Sequence, residues 1–457
     1  MNYQGKPCSY VERETPCGRV RGLLKGDYCL FEGIRYATAE RFEPPVVVTH
    51  WDGLYDATRF GPACIQRYTY HEPLYADASE FYYAQAAEKR VVCYSEDCLN
   101  LNIWAPVHAE NAPVAVYIHG GSFTNGSNAN TSIANGADYC ARGIILISIN
   151  YRLNAFGCAV DASHSGNQML LDQIAALRWI RANIAAFGGD GQRVTVIGES
   201  AGALATQCLL YAEEARGLMQ GVIMMSGGGN ALPLPVPAPM AARYWQAVCA
   251  KLGAASLEEL KNVPAQELFE AWAKVGEVSG KAFAHPVCGV ELIPDTPEKL
   301  MAADQVTDVP VMLGLCAQDM WPYTLYKAIL GWADYSVRHH RQPVYAYYFD
   351  RPAPGGDDVG AYHGLDLWYA FNTLSANWRP FEDVDFRLAQ DMIDRFAAFI
   401  KTGEPNAGDL PRWEPLTETE RRFLRFSAEP PQMIIPPEEE LAAAIQNTER
   451  PFPALKQ

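Results

Sequence analysis

Val194-Thr195-Val196-Ile197-Gly198-Glu199-Ser200-Ala201-Gly202-Ala203-Leu204-Ala205 is the stretch from which the rest of the chain is read. Val194, Val196 and Ile197 are β-branched, as a buried strand favours. The run from Ala203 to residue 209 is rich in Ala and Leu, as the start of a helix favours. Between the two lies Gly198-Glu199-Ser200-Ala201-Gly202, a G-x-S-x-G in strand-to-helix context. A reversal from strand to helix over so few residues strains the backbone at its middle residue and turns that side chain out above the sheet. Any Cβ at residue 198 or 202 would crowd the bend. Ser200 Oγ then stands at the first turn of a helix, where free N–H groups and the helix dipole favour developing negative charge. Glycine-containing loops produce the bare pattern by chance; the flanking strand and helix make it a nucleophile elbow.

Outward from the elbow the patterns alternate. Residues 113–119 read as a strand, and 143–150 form an apolar run of the kind buried on both faces of a parallel sheet. Leu170, Ile174, Leu177, Ile180 and Ile184 recur at helical spacing over 169–187, closed by Gly188-Gly189-Asp190-Gly191. Further strands are expected at 100–104, 220–225, 309–315 and 343–349, and an amphipathic helix over 386–401 ending at Gly403. Residues 1–60 suggest an antiparallel start to the sheet, with surface turns at Arg41-Phe42-Glu43-Pro44-Pro45 and Trp51-Asp52-Gly53. The tyrosine-rich stretch 66–95 reads as irregular structure near the mouth of a cleft. Leu232-Pro233-Leu234-Pro235-Val236-Pro237-Ala238-Pro239 is stiff and extended, neither central strand nor helix. Residues 241–305 read as helical but poorly patterned. The expectation is an α/β fold: a mostly parallel central sheet flanked by helices, residues 1–457 forming a single domain with a helical cap or regulatory insertion around 231–305. On such sheets ligands lie outside the carboxyl ends of the strands.

Composition bounds the function. The 457 residues are 49% hydrophobic and 20% charged, an ordinary globular balance. A net charge of −16 argues against nucleic acid and against anionic membrane surfaces. The first residues lack the apolar run of a secretory signal, and no stretch approaches the roughly 18 apolar residues of a membrane span. Twelve cysteines in so long a chain are no disulfide scaffold and fit reduced thiols in a cytoplasm. No His/Cys cluster has ligand spacing, so neither metal nor cofactor is expected.

For this type of elbow the chain order is serine, acid, histidine. The strand at 309–315 runs into Cys316-Ala317-Gln318-Asp319; the strand at 343–349 runs into a Gly/Pro/Asp-rich loop ending at Gly360-Ala361-Tyr362-His363-Gly364. His363 would accept the Ser200 proton and return it to the leaving group. Asp319, with Asp350 as its rival, would hold the imidazole tautomer. His339 and His340 lie in a polar, Arg-rich stretch and read as solvated. Before the elbow, His119-Gly120-Gly121-Ser122-Phe123 is close to an H-G-G-G oxyanion loop, giving Gly121, Ser122 and Ala201 as backbone donors, each worth about 3 kcal/mol in the transition state.

With those motifs in hand the chain resembles the type-B carboxylesterase family of α/β-hydrolases, which includes bacterial esterases and cholinesterases. Phe31-Glu32-Gly33-Ile34-Arg35-Tyr36-Ala37, Ser95-Glu96-Asp97-Cys98-Leu99-Asn100-Leu101-Asn102-Ile103, Asn150-Tyr151-Arg152-Leu153, Phe187-Gly188-Gly189-Asp190 and Thr402-Gly403-Glu404-Pro405-Asn406 carry the resemblance beside the elbow. It implies an α/β-hydrolase fold and a triad of Ser200, Asp319 and His363. It also implies that Glu199 tunes the site, and that Cys64 and Cys98 match a pair disulfide-bonded in secreted relatives. The family usually has Glu in an Asp-Glu-Gly run where this chain has Gln318-Asp319-Met320; the shorter aspartate requires either a closer backbone or a longer hydrogen bond. Around 232–304 the chain departs most from the family.

The expected function is a serine carboxylesterase acting on small-molecule, neutral, fairly hydrophobic carboxylic esters through an acyl-enzyme, with activity falling below about pH 6.5 as His363 protonates. An amidase or carbamate hydrolase using the same residues, and a non-catalytic binding homologue, are the alternatives. Trp321 and Trp368 are candidates either to line the pocket or to pack in the core.

Overall fold

Runs rich in Val, Ile and Leu pair side by side because each satisfies its backbone polar groups only through a neighbour. The computed structural model describes residues 9–66, 85, 93–230, 234–279 and 283–444. Its main sheet has 13 strands. In chain order they are β1 (Ser9–Thr15), β2 (Gly18–Lys25), β3 (Tyr28–Arg35), β4 (Leu54–Asp56), β5 (Asn100–Pro106), β6 (Ala112–Ile118) and β7 (Ile145–Ile149). There follow β8 (Gly189–Glu199), β9 (Gly221–Met225), β10 (Val311–Cys316), β11 (Val344–Phe349), β12 (Phe423–Phe426) and β13 (Gln432–Ile434). The spatial order is β1-β2-β3-β5-β7-β6-β8-β9-β10-β11-β12-β13, with β4 on β2. From β7 to β12 neighbours run parallel; β1, β2, β3, β5 and β7, like β12 and β13, pair antiparallel, while the short β4 lies parallel to β2. The mostly parallel sheet and its antiparallel start are therefore as expected.

The helices that bear on the site are α1 (Gln168–Asn183), α2 (Ala201–Tyr211), α3 (Ala238–Lys251), α4 (Ala265–Ser279), α5 (Pro322–Arg338), α6 (Asp366–Ala370) and α7 (Asp383–Thr402). Left-handed Gly188 (φ 86°) follows the 3₁₀ turn after α1, and left-handed Gly403 (φ 79°) closes α7, both at their expected places.

Winding decides where a ligand can enter. From β6 the chain crosses to β7 on one side; from β8 it crosses to β9 on the other. The connections that leave β6 and β8 thus run to opposite sides, which opens a crevice at the carboxyl ends of the two strands. Their register pairs Ile118 with Gly198, so residues 119–122 and 199–201 leave the sheet side by side.

Three local expectations change. Phe42 is no surface turn residue: it is buried at φ 68°, and Arg41 beside it binds Glu96 and the carbonyls of Leu260 (2.9 Å) and Val263 (2.5 Å). The extended proline segment ends sooner than its composition suggests, because Ala238 and Pro239 open α3, and proline is tolerated in a first turn whose N–H groups have no partner. The 241–305 stretch is better patterned than it reads, since α4 buries Leu268, Trp272 and Val275 at i, i+4 and i+7. It is pinned to the preceding chain as well: the Trp245 indole donates to Cys158 O at 2.8 Å, and Asn167 exchanges two hydrogen bonds of 2.9 Å with Val287. The irregular structure expected over 66–95 falls mostly outside the described residues.

Candidate active site

At the end of β8 the backbone turns through Ser200 at φ 55°, ψ −121°, a conformation an L-residue holds only when its surroundings enforce it. The enforcement is visible. Ser200 N–H donates to Met225 O at 2.9 Å, and α2 seats so close to β6 that a Cβ on Gly202 would lie 2.1 Å from Ile118 O. Only glycine allows that approach.

Three peptide planes around the turn are fixed from their carbonyl ends. Ser200 O accepts from Leu204 N–H at 3.0 Å, and Gly121 O accepts from Thr124 and Asn125 N–H at 2.9 and 3.0 Å. Gly120 O lies 2.8 Å from the His119 ring. In a planar trans peptide the N–H points opposite its C=O, so the N–H groups of Ala201, Ser122 and Gly121 are each directed away from an anchored oxygen. Ala201 opens its helix, where an N–H has no intrahelical partner. Among the described residues no backbone carbonyl accepts from Gly121 or Ser122.

The acid and the histidine arrive on two loops joined by a bridge. Gln318 pairs with Tyr362; Gln318 N–H donates to Ala361 O at 3.0 Å, and Ala361 N–H donates to the Gln318 side chain at 2.6 Å. This draws the backbones together, and His363 Nδ1 meets Asp319 Oδ1 at 2.6 Å. The shorter aspartate thus reaches the imidazole without a longer bond. Asp319 also accepts from Cys316 N–H (3.1 Å) and Met320 N–H (2.8 Å). Asp350, the rival, is held elsewhere, by Arg425 at 2.7 Å. The far nitrogen of His363 turns back to the elbow, with Nε2 3.3 Å from Oε1 of Glu199, the residue before Ser200. Gly120 leaves room for that carboxylate: a Cβ there would lie 2.4 Å from Glu199 Oε2.

Charge is concentrated here out of water. Burial raises the Glu199 carboxyl to about 7, with Asp366 and Asp319 adding to the effect and His363 opposing it. Burial alone would lower His363, yet the carboxylates of Asp319 and Glu199 carry it up to about 9. Burial also works against the Asp319 carboxylate, but the charge of His363 and the hydrogen bonds it accepts hold it below the usual range. Asp366, which the sequence reading passed over, is a further buried carboxylate. Its Oδ2 accepts from the Tyr347 hydroxyl at 2.7 Å, and burial raises it to about 6. Its signal in the sequence was an acid three residues past His363.

Of the remaining candidates, Trp368 is 1% exposed and belongs to the core, while Trp321 precedes α5 and is 45% exposed. His339 packs at a tilt against Tyr335, its Nδ1 3.5 Å from Asp304 Oδ1, and His340 is exposed. Cys64 and Cys98 are free thiols. Glu43, His164 and Glu258 bring possible ligand atoms within 4.8 Å of one another, but the Lys261 ammonium already binds both carboxylates, at 2.6 and 2.5 Å. No described helix is long and apolar enough to cross a membrane.

Comparison with known proteins returns one consistent likeness. The model of the carboxylesterase family matches residues 9–328 and 323–443. Para-nitrobenzyl esterase of Bacillus subtilis strain 168 is 29% identical over 91% of this chain and 94% of its own length. Acetylcholinesterase of Bungarus fasciatus is 28% identical over 91% of this chain and 82% of its own. Among solved structures, a thermophilic PNB esterase superposes with a TM-score of 0.82 at 27% identity, covering 95% of this chain and 99% of that one.

Proposed function

The chain belongs to the carboxylesterase family and is a serine hydrolase acting on carboxylic ester bonds; from that premise we propose that Ser200, His363 and Asp319 carry the reaction. Ser200 Oγ attacks the ester carbonyl as its proton passes to His363 Nε2. The carbonyl oxygen, now anionic, takes hydrogen bonds from the N–H groups of Gly121, Ser122 and Ala201. Collapse breaks the C–O bond, His363 protonates the departing alkoxide, and an acyl-serine remains. Water then repeats the sequence to release the acid and restore the hydroxyl. No cofactor is needed for any step.

The observation that supports this most directly is the buried Asp319–His363 contact of 2.6 Å, formed beside the turn that carries Ser200. A fluorophosphonate should therefore label the protein once, on the peptide containing Ser200, with ester turnover lost in proportion to labelling. A label elsewhere, or full turnover in labelled protein, would overturn the assignment. The ester reading is preferred to the amidase one on the strength of the relatives. Paired p-nitrophenyl ester and p-nitroanilide substrates of one acyl group should show the ester cleaved at least about 100-fold faster.

Electrostatics revise the expected pH profile. His363 is active as a base only when neutral, so a residue raised to about 9 moves the acid limb above the position expected of a free imidazole. Glu199→Gln removes the negative charge 3.3 Å from Nε2, which lowers the basicity of His363. The acid limb of kcat/KM against pH should then shift to lower pH; a limb that stays or rises would show that Glu199 does not tune the base.

The same proposal treats 231–305 as a cap built onto a single hydrolase domain. It assigns the protein to a bacterial cytoplasm, supported by the Bacillus relative and by described cysteines that are all free thiols.

A further inference from the structure

His119 opens the loop whose glycines were singled out, and its side chain has so far entered only as the group beside Gly120 O. The ring is 6% exposed and stacks on Tyr151, centroids 4.6 Å apart and planes 23° apart. The Tyr151 hydroxyl donates to the His119 carbonyl at 2.8 Å, so ring and backbone are held from the same side. Nδ1 lies 2.8 Å from Gly120 O, and Nε2 is buried with no hydrogen-bond partner among the described residues. A carbonyl only accepts, so Nδ1 carries the hydrogen and Nε2 is bare. Burial pushes the imidazole down to about 4, which keeps this neutral tautomer through the working pH range.

For a packing residue this is an unfavourable choice. An orphaned buried nitrogen costs stability, and phenylalanine would fill the space without it. What imidazole supplies is the Nδ1–H on Gly120 O. The fit around that bond is close: a Cβ on Gly126 would lie 2.4 Å from Nδ1 and 2.8 Å from Gly120 O. Because the 120–121 peptide is planar and trans, gripping its oxygen fixes the direction of the Gly121 N–H. We infer that His119 is a positioning residue, which aims the Gly121 N–H at the oxyanion without touching substrate. This rests on the reading of Gly121 as an oxyanion donor.

The test compares His119→Phe, which keeps a flat ring on Tyr151 but has no donor, with His119→Asn, whose Nδ2–H falls where Nδ1–H lies. Phe should lower kcat roughly 10- to 100-fold with KM within about twofold, since a misaimed donor is felt mainly in the transition state. Asn should restore kcat to within about fivefold of the parent. A trifluoromethyl ketone, to which Ser200 Oγ adds to form a tetrahedral oxyanion, should lose affinity for the Phe variant by the same factor as kcat/KM. Thermal unfolding identifies a misfolded variant, in which case His119→Leu repeats the measurement. Unchanged kcat and inhibitor affinity in the folded Phe or Leu variant, or an Asn variant no better than Phe, overturns the inference. Ser200→Ala separates this from the proposed function: if it is inactive while His119→Phe is unaffected, the nucleophile stands and the aiming of Gly121 by His119 falls, and if it is active the reading beneath both falls.

Discussion

Replacing Ser200 by alanine is expected to lower kcat on the order of 10⁶-fold while leaving KM and the unfolding transition close to those of the parent. The size follows from what is lost. Without Oγ no acyl-enzyme forms, and what remains is substrate held near the donors of Gly121, Ser122 and Ala201, worth a residual about 10³–10⁴ over water. The fold should not notice, because the turn is enforced by neighbours: Ser200 N–H on Met225 O at 2.9 Å, and Leu204 N–H on Ser200 O at 3.0 Å, are backbone bonds that alanine keeps. Alanine bears the same cost at φ 55° as serine. A second substitution, His363→Ala, made in the alanine background should cost almost nothing further, since the two side chains act as one unit. Turnover of p-nitrophenyl acetate at high enzyme concentration measures both. Residual activity above about one percent of the parent, or a large further loss in the double variant, would show that Ser200 is not the nucleophile.

What could be read from the chain followed from local rules. Val194, Val196 and Ile197 before Gly198, and Ala203 after Gly202, declare a strand, a bend and a helix by side-chain shape alone, and the order of β6, β8 and β10 then fixes which loops share the crevice. Asp319 lay at the predicted end of a strand, but its reach to His363 did not follow from spacing. It depends on the Gln318–Tyr362 bridge, a pairing between residues whose types announce nothing. The same limit applies to Phe42, which reads as a turn between charged and proline neighbours and is buried because its ring packs edge-on against His164 and Trp245, far along the chain. Asp366 went unnoticed, and His119 was read only as the start of its loop motif, for a different reason. Their significance comes from burial beside other charges or against one carbonyl, and burial is a property of the assembled core that no local pattern carries. The pH expectation is revised on the same ground, since a free imidazole is the wrong reference for a ring enclosed with Asp319 and Glu199.

Asp319→Asn should cost on the order of 10⁴-fold in kcat with little change in KM, and the reason lies in how fully the carboxylate is engaged. Oδ1 accepts from His363 Nδ1–H at 2.6 Å and from Met320 N–H at 2.8 Å, and Oδ2 accepts from Cys316 N–H at 3.1 Å. An amide has one acceptor oxygen. With its oxygen toward Cys316, the NH₂ faces Nδ1 and forces the proton onto Nε2, leaving no base for Ser200. With its oxygen toward His363, an N–H confronts the Cys316 N–H inside the core, at roughly 1–3 kcal/mol. In both orientations the negative charge that stabilises the imidazolium is gone, so basicity of His363 falls and the acid limb moves to lower pH. Asp366→Asn is the necessary control, because Asp366 is also buried near the imidazole. Its carboxylate is bound by the Tyr347 hydroxyl at 2.7 Å and raises His363 less than Asp319 and Glu199 do, so its loss should cost far less in kcat. If the larger loss falls on Asp366→Asn instead, the acid of this site is the residue three positions after the histidine, and the bridge between the two loops serves packing alone.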